Sequence, residues 1–96
     1  MSRFNDVLRK AIFVCNYSIS SLSSKSMISR QTIYTVMHGA YKPRRNTARA
    51  LAFAVIEEIH LKAAEKKHEL YELKRMEEEL RNVYNDEYGA GEDDDR

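Results

Sequence analysis

Between Arg44 and Tyr88 the chain has neither proline nor glycine, and its 96 residues contain one proline, Pro43, and three glycines, Gly39, Gly89 and Gly91. Proline removes an amide donor, and glycine supplies the left-handed backbone that ends helices. A chain with so few forced breaks is expected to be all-α.

Val7, Leu8, Ala11, Ile12, Val14 and Cys15 recur at three- and four-residue steps, which predicts a first helix over about Ser2 to Asn16. Cys15 lies on its apolar face and reads as a small core residue. Ser18 is placed to accept from the open amides of a short second helix, Ile19 to Lys25. Ser29 does the same for a third, Arg30 to His38, which Gly39 terminates. After the loop Ala40–Asn46, Asn46 or Thr47 caps a fourth helix with nothing to stop it before Tyr88. Thr47 to Tyr88 is 42 residues, roughly 60 Å at the α-helical rise.

Length of that order points to a coiled coil. Ile56, Ile59, Ala63, Lys66, Leu70, Leu73, Glu77, Leu80 and Tyr84 alternate by three and four, with only Lys66 and Glu77 polar. Ile59, Ala63, Leu70, Leu73, Leu80 and Tyr84 are therefore the expected oligomerisation seam of a homodimer or higher homo-oligomer. The expected fold is a small helix-turn-helix domain of four helices over residues 1–56, the fourth extended into a long coiled-coil-like acidic helix over 57–88. A disordered acidic tail over 89–96, GAGEDDDR, follows.

Charge divides along the same line. Residues 1–56 hold nine basic side chains and one acid, Asp6, giving +8, whereas residues 57–96 hold seven basic and fourteen acidic, giving −7. The asymmetry suggests one end for a polyanion and a separate acidic end, concealed by a net charge of +1. No apolar run approaches the roughly 18 residues that span a bilayer, and MSRFNDVLRK leads into no apolar leader, so no membrane association is expected. A single cysteine forms no internal disulfide and suits a reducing, cytoplasmic setting.

Catalysis and cofactors are not expected. There is no glycine-rich phosphate loop, Ser/His/Asp set or cofactor signature. His60 and His68 are eight apart, too wide for the usual metal-binding pair, and His38 simply ends a helix. Glu77-Glu78-Glu79 points around a helix rather than across a cleft. Glu58–Lys62 and Glu77–Arg81 are favourable i, i+4 pairs.

Two short helices joined by a tight turn read as a helix-turn-helix, whose second helix enters the DNA major groove. From Ser18 to Val55 the sequence resembles the lambda-repressor-like family of Cro and phage repressor proteins. The resemblance rests on Leu22 followed by the small Ser23, Ile28-Ser29 at the turn, Thr32-Ile33 in the recognition helix, His38-Gly39 at its end, and Lys42-Pro43 before helix four. With the preceding helix it covers about half the chain. Met27 stands where the family usually has a turn glycine, and the family's usual fifth helix is replaced here by the extended fourth.

The resemblance implies that Arg30, Gln31 and Thr35, with Tyr34 adjacent, read bases. Arg pairs with guanine O6 and N7, Gln with adenine N6 and N7, and a Thr methyl packs on the thymine methyl. Stacking on the protein surface is the other reading of Tyr34. The resemblance also implies phosphate contacts for Ser18, Lys25, Tyr41, Lys42, Arg44, Arg45 and Asn46, which fix register without reading sequence; otherwise Lys42–Arg45 is a solvated basic loop. The expected protein is a phage or bacterial transcriptional repressor that binds double-stranded DNA at a palindromic operator as a dimer. One alternative is an interaction module whose acidic helix binds a protein partner such as a host repressor or polymerase subunit. Another is an architectural protein that bridges DNA without sequence preference. The acidic end is then either held away from the duplex by a rod-like helix or competes with DNA for the basic face.

Overall fold

A computed structural model of the chain describes residues 3–39, 41–65 and 70–89. They form five α-helices, α1 (Arg3–Cys15), α2 (Ile19–Ser26), α3 (Arg30–Met37), α4 (Arg45–Glu65) and α5 (Leu70–Tyr88), with no strand among the described residues. None of these helices is long and apolar enough to cross a membrane.

The first three helices end where local chemistry ends them. After α1, Asn16 takes the left-handed conformation at φ 57°. The Tyr17 amide reaches back to Ile12 O and the Asn16 amide to Phe13 O, each at 3.1 Å, closing the last turn. Ser18 caps α2 by accepting from the Ser21 amide at 3.1 Å. Ser29 caps α3 by accepting from the Thr32 amide at 3.2 Å, and Gly39 follows α3 with φ 75°.

The long fourth helix divides in two. α4 stops at Glu65 and α5 runs back along it: Phe53 meets Tyr84, and a turn or two further on His60 meets Glu77, so each step down α4 is a step up α5. The longest dimension of the molecule is 39 Å, too short for the expected 42-residue rod. The expected seam is consumed inside one chain, with Ile59, Leu73 and Leu80 buried and Ala63 and Tyr84 packed against the same core. The side chain of Leu70, and Lys66, lie outside the described residues. α5 covers α1 as well as α4, and this dictates the fold-back, because a rod would leave Phe4, Leu8 and the apolar side of α4 facing water.

The division at residues 56 and 57 disappears with the rod. It falls within α4, and Phe4, Leu22, Ile33, Leu51, Ile59 and Leu80 belong to a single core. α1 and α4 pack together, with α5 laid across both; α2 packs on α4, α3 packs on α1, and α5 touches neither α2 nor α3. Cys15 is buried in the core as expected. Burial, helped by Glu58 and opposed by Lys62, pushes its thiol up to about 11.

Candidate nucleic-acid interface

The α2–α3 pair is a self-contained bracket. Leu22 of α2 and Ile33 of α3 face inward and are fully buried. Between them the Met27 amide closes α2 on Ser23 O at 2.9 Å, and the Ser23 hydroxyl donates to Ile28 O at 2.7 Å. The Ser26 hydroxyl donates to Leu22 O at 2.7 Å and accepts from the Ile28 amide at 3.2 Å. Met27, standing at the turn glycine of the resembled family, holds φ 64° and ψ 25°, with its side chain 86% exposed. The turn therefore adopts a glycine conformation without a glycine.

α3 turns Ile33 and Val36 inward, and its opposite side faces solvent. There Arg30, Gln31, Tyr34, Thr35 and His38 border one shallow open depression, so the four expected base readers do share a face. Arg30 Nη1 donates to Ser20 Oγ at 3.2 Å, tying the start of α3 to α2. The Thr35 hydroxyl donates to Gln31 O at 2.9 Å, so its proton is committed within the helix. Tyr34 is 48% exposed, half of its surface lying against the protein.

The expected phosphate residues divide. Arg44 is exposed on the loop into α4, near exposed Tyr41 in sequence, and Asn46 is exposed in the first turn of α4 itself rather than in the expected loop. Ser18 sits at the amino end of α2, where helix amides favour anions. Lys25 instead pairs with Glu57 of α4 at 3.1 Å, both partners about half exposed. Lys42 and Arg45 are also put to a structural use: Lys42 donates to Glu87 O at 3.1 Å and Arg45 to Tyr88 O, so two cations cap the carbonyl end of α5. Lys42 lies over the Tyr88 ring at 4.8 Å, and the Tyr88 hydroxyl donates to Pro43 O at 2.6 Å. Burial pushes that phenol up, with Glu87 and Tyr84 adding to it, so it stays a donor.

Residues that composition did not bring forward hold this surface in place. Asn5 is fully buried, and its amide donates to Val36 O at 3.0 Å and Tyr41 O at 2.9 Å, joining α1 to the end of α3 and the following loop. Two carbonyl partners fix which amide atom is the nitrogen. Arg9 donates to Met37 O at 3.0 Å, closing the carbonyl end of α3, and pairs with Asp6 at 3.2 Å. The signal for Asn5 was in the sequence: it occupies the same helical stripe as Leu8 and Ile12, where a polar residue needs a buried partner. His60 Nε2 lies 2.8 Å from Glu77 Oε1, and His68 lies outside the described residues. Comparison with known proteins finds no matching family model, no matching curated protein and no matching solved structure.

Proposed function

We propose that this chain is a sequence-specific DNA-binding transcriptional regulator of the phage or bacterial repressor kind, with α3 as the helix that enters the major groove. The observation that carries the reading is the exposed face of α3, where Arg30, Gln31, Tyr34 and Thr35 lie side by side on a bracket braced from behind by Leu22 and Ile33. The amino end of α2 and Arg44 and Asn46 at the start of α4 supply groups suited to phosphates on the same chain. The presence of a separate fifth helix also removes one of the two departures from the resembled family.

A dimer on a palindromic site follows from two-fold matching of protein to DNA, but its interface is not the heptad seam, since Ile59, Leu73 and Leu80 are buried within one chain. The bridging alternative loses its rod for the same reason. A binding-site selection with purified protein tests the reading. Arg30→Ala is expected to relax preference at one or two positions at a cost of about 1–3 kcal/mol, while Arg44→Ala weakens all DNA alike and lowers the salt slope by about one. Selection of no preferred sequence, or an Arg30→Ala variant with unchanged preference, refutes it.

A further inference from the structure

A histidine at the end of α3 reads from sequence as a helix terminus and nothing more, but the structure gives the His38 ring a defined chemistry. The side chain is exposed and borders the same depression as Arg30, Gln31, Tyr34 and Thr35. Its Nδ1 lies 2.8 Å from Tyr34 O, which also accepts the His38 backbone amide at 2.9 Å. A carbonyl oxygen only accepts, so Nδ1 carries the ring proton. In the neutral imidazole the other nitrogen, Nε2, is then left as an acceptor. Nε2 bonds to nothing among the described residues, and it is the ring nitrogen farther from the backbone.

An acceptor discriminates sharply among the groups that line a DNA groove. It finds hydrogens on adenine N6 and cytosine N4, whereas guanine O6 and N7 and thymine O4 oppose it with lone pairs of their own. Phosphate oxygens carry no proton for it either. Nε2 is therefore suited to a base edge rather than to the backbone, and to A or C rather than G or T on the strand it faces. His38 follows Gln31 by seven residues on the same side of the helix. That separation is about 10 Å along the axis, or about three base steps, so the two side chains address different base pairs.

We infer that His38 is a further base-reading residue of α3, whose tautomer, held by Tyr34 O, selects adenine or cytosine at a base pair separate from the one met by Gln31. This rests on the DNA-binding reading above. Its chemistry is the converse of that of Arg30, which only donates. Ending the helix requires Nδ1–H alone, so the two roles of the ring can be separated by substitution.

The test is a binding-site selection at about pH 8.5, above the range in which histidines change charge, with the full chain as parent and as His38→Asn and His38→Lys. Asparagine can place an amide N–H where Nδ1–H stands and lacks the Nε2 acceptor, so the bond to Tyr34 O is kept. Thermal unfolding should accordingly match the parent. The parent is expected to favour A or C over G or T about three- to tenfold at one position of the selected site, as a single hydrogen bond allows. His38→Asn should flatten that position and leave the others, and His38→Lys, which only donates, should turn it to G or T. Long-range proton–nitrogen NMR of the unaltered chain, which needs no variant, should show Nδ1 protonated at the same pH. The inference is overturned by an Nε2–H tautomer, by an A or C preference that survives in His38→Lys, or by a loss of affinity in His38→Asn spread evenly over all sequences, as a phosphate contact gives. Each of these leaves the DNA-binding reading standing. If the parent selects no sequence at all, that reading falls and the inference falls with it.

Discussion

Replacing Met27 by glycine should stabilise this protein, although it deletes a whole side chain. Met27 is held at φ 64° and ψ 25° by the α2–α3 turn. The left-handed conformation costs a residue bearing a Cβ about 1–2 kcal/mol. At 86% exposure the side chain contributes little packing to lose, and the capping bond from the Met27 amide to Ser23 O survives the change. Glycine returns about 0.5–1 kcal/mol of that gain through the greater freedom of its unfolded chain. The balance is a stabilisation of about 0.5–1 kcal/mol, or about 2–6 °C in Tm for a domain of this size. Urea unfolding followed by helical circular dichroism measures it, with Met27→Ala and Met27→Val as controls. Alanine keeps the Cβ penalty and should leave stability near that of the parent; valine, branched at Cβ, should lower it. A glycine variant no more stable than the parent, or an alanine variant equally stabilised, would show that backbone strain at this turn is not what Met27 contributes.

Leu73→Asp is expected to unfold the chain rather than separate subunits, because Leu73 is 3% exposed within the single core; an unpaired charge there costs about 4 kcal/mol or more. A fully helical monomer in sedimentation and circular dichroism would restore the coiled-coil seam. Glu77 supplies a pH dependence. Burial raises its pKa, but hydrogen bonds from His60 and Arg81 outweigh this and hold it below the ordinary 4.5. Its contribution is therefore present above pH 4.5 and lost as the pH falls through the lower folded value. Glu77→Gln should accordingly destabilise at pH 6 and be nearly neutral at pH 2.5; an equal effect at both would be contrary. Cys15, pushed up to about 11, should resist alkylation at pH 8, where its thiolate fraction is on the order of one in a thousand. Its labelling should accelerate at least a hundredfold in denaturant, and rapid labelling of the native chain would contradict its burial.

The first half of the chain was legible because its signals are local. Ser18 and Ser29 each precede a helix they cap, Leu22 and Ile33 fall where inward residues fall, and Gly39 sits after the last turn of α3. The second half depends on a choice that local signals do not make. A seam of Ile59, Leu73 and Leu80 buries equally well against a second chain or against itself, since the hydrophobic effect has no preferred partner. What decides is non-local: α1 also needs a cover, α5 provides it, and a segment of the same chain is always at high effective concentration. Glu77 marks the outcome. It is polar at a heptad core position, and it sits at the rim between α4 and α5 with His60 and Arg81, where a carboxylate finds partners. Lys42 and Arg45 were unreadable for the same reason, because their acceptors are the carbonyls of a helix more than forty residues away.

The charge split also acquires a different meaning. Two modules of opposite sign on a rod would place the acidic half far from the duplex. In the folded chain α5 lies across α1 and α4 and does not reach α2 or α3, so the described part of the acidic half packs on the same core as the basic half rather than at the far end of a rod. Ion pairs such as Arg3–Asp86 and Lys25–Glu57 cross between the halves, but at this exposure each contributes little to stability; apolar burial holds the sides together. On the DNA-binding reading, a polyanion attracts the side carrying Arg30 and Arg44 and repels α5, so encounter is biased toward the orientation in which α3 leads. Among the described residues the two halves also meet at the end of α5, where Lys42 donates to Glu87 O and Arg45 to Tyr88 O, so the basic residues entering α4 serve the fold as well as any polyanion.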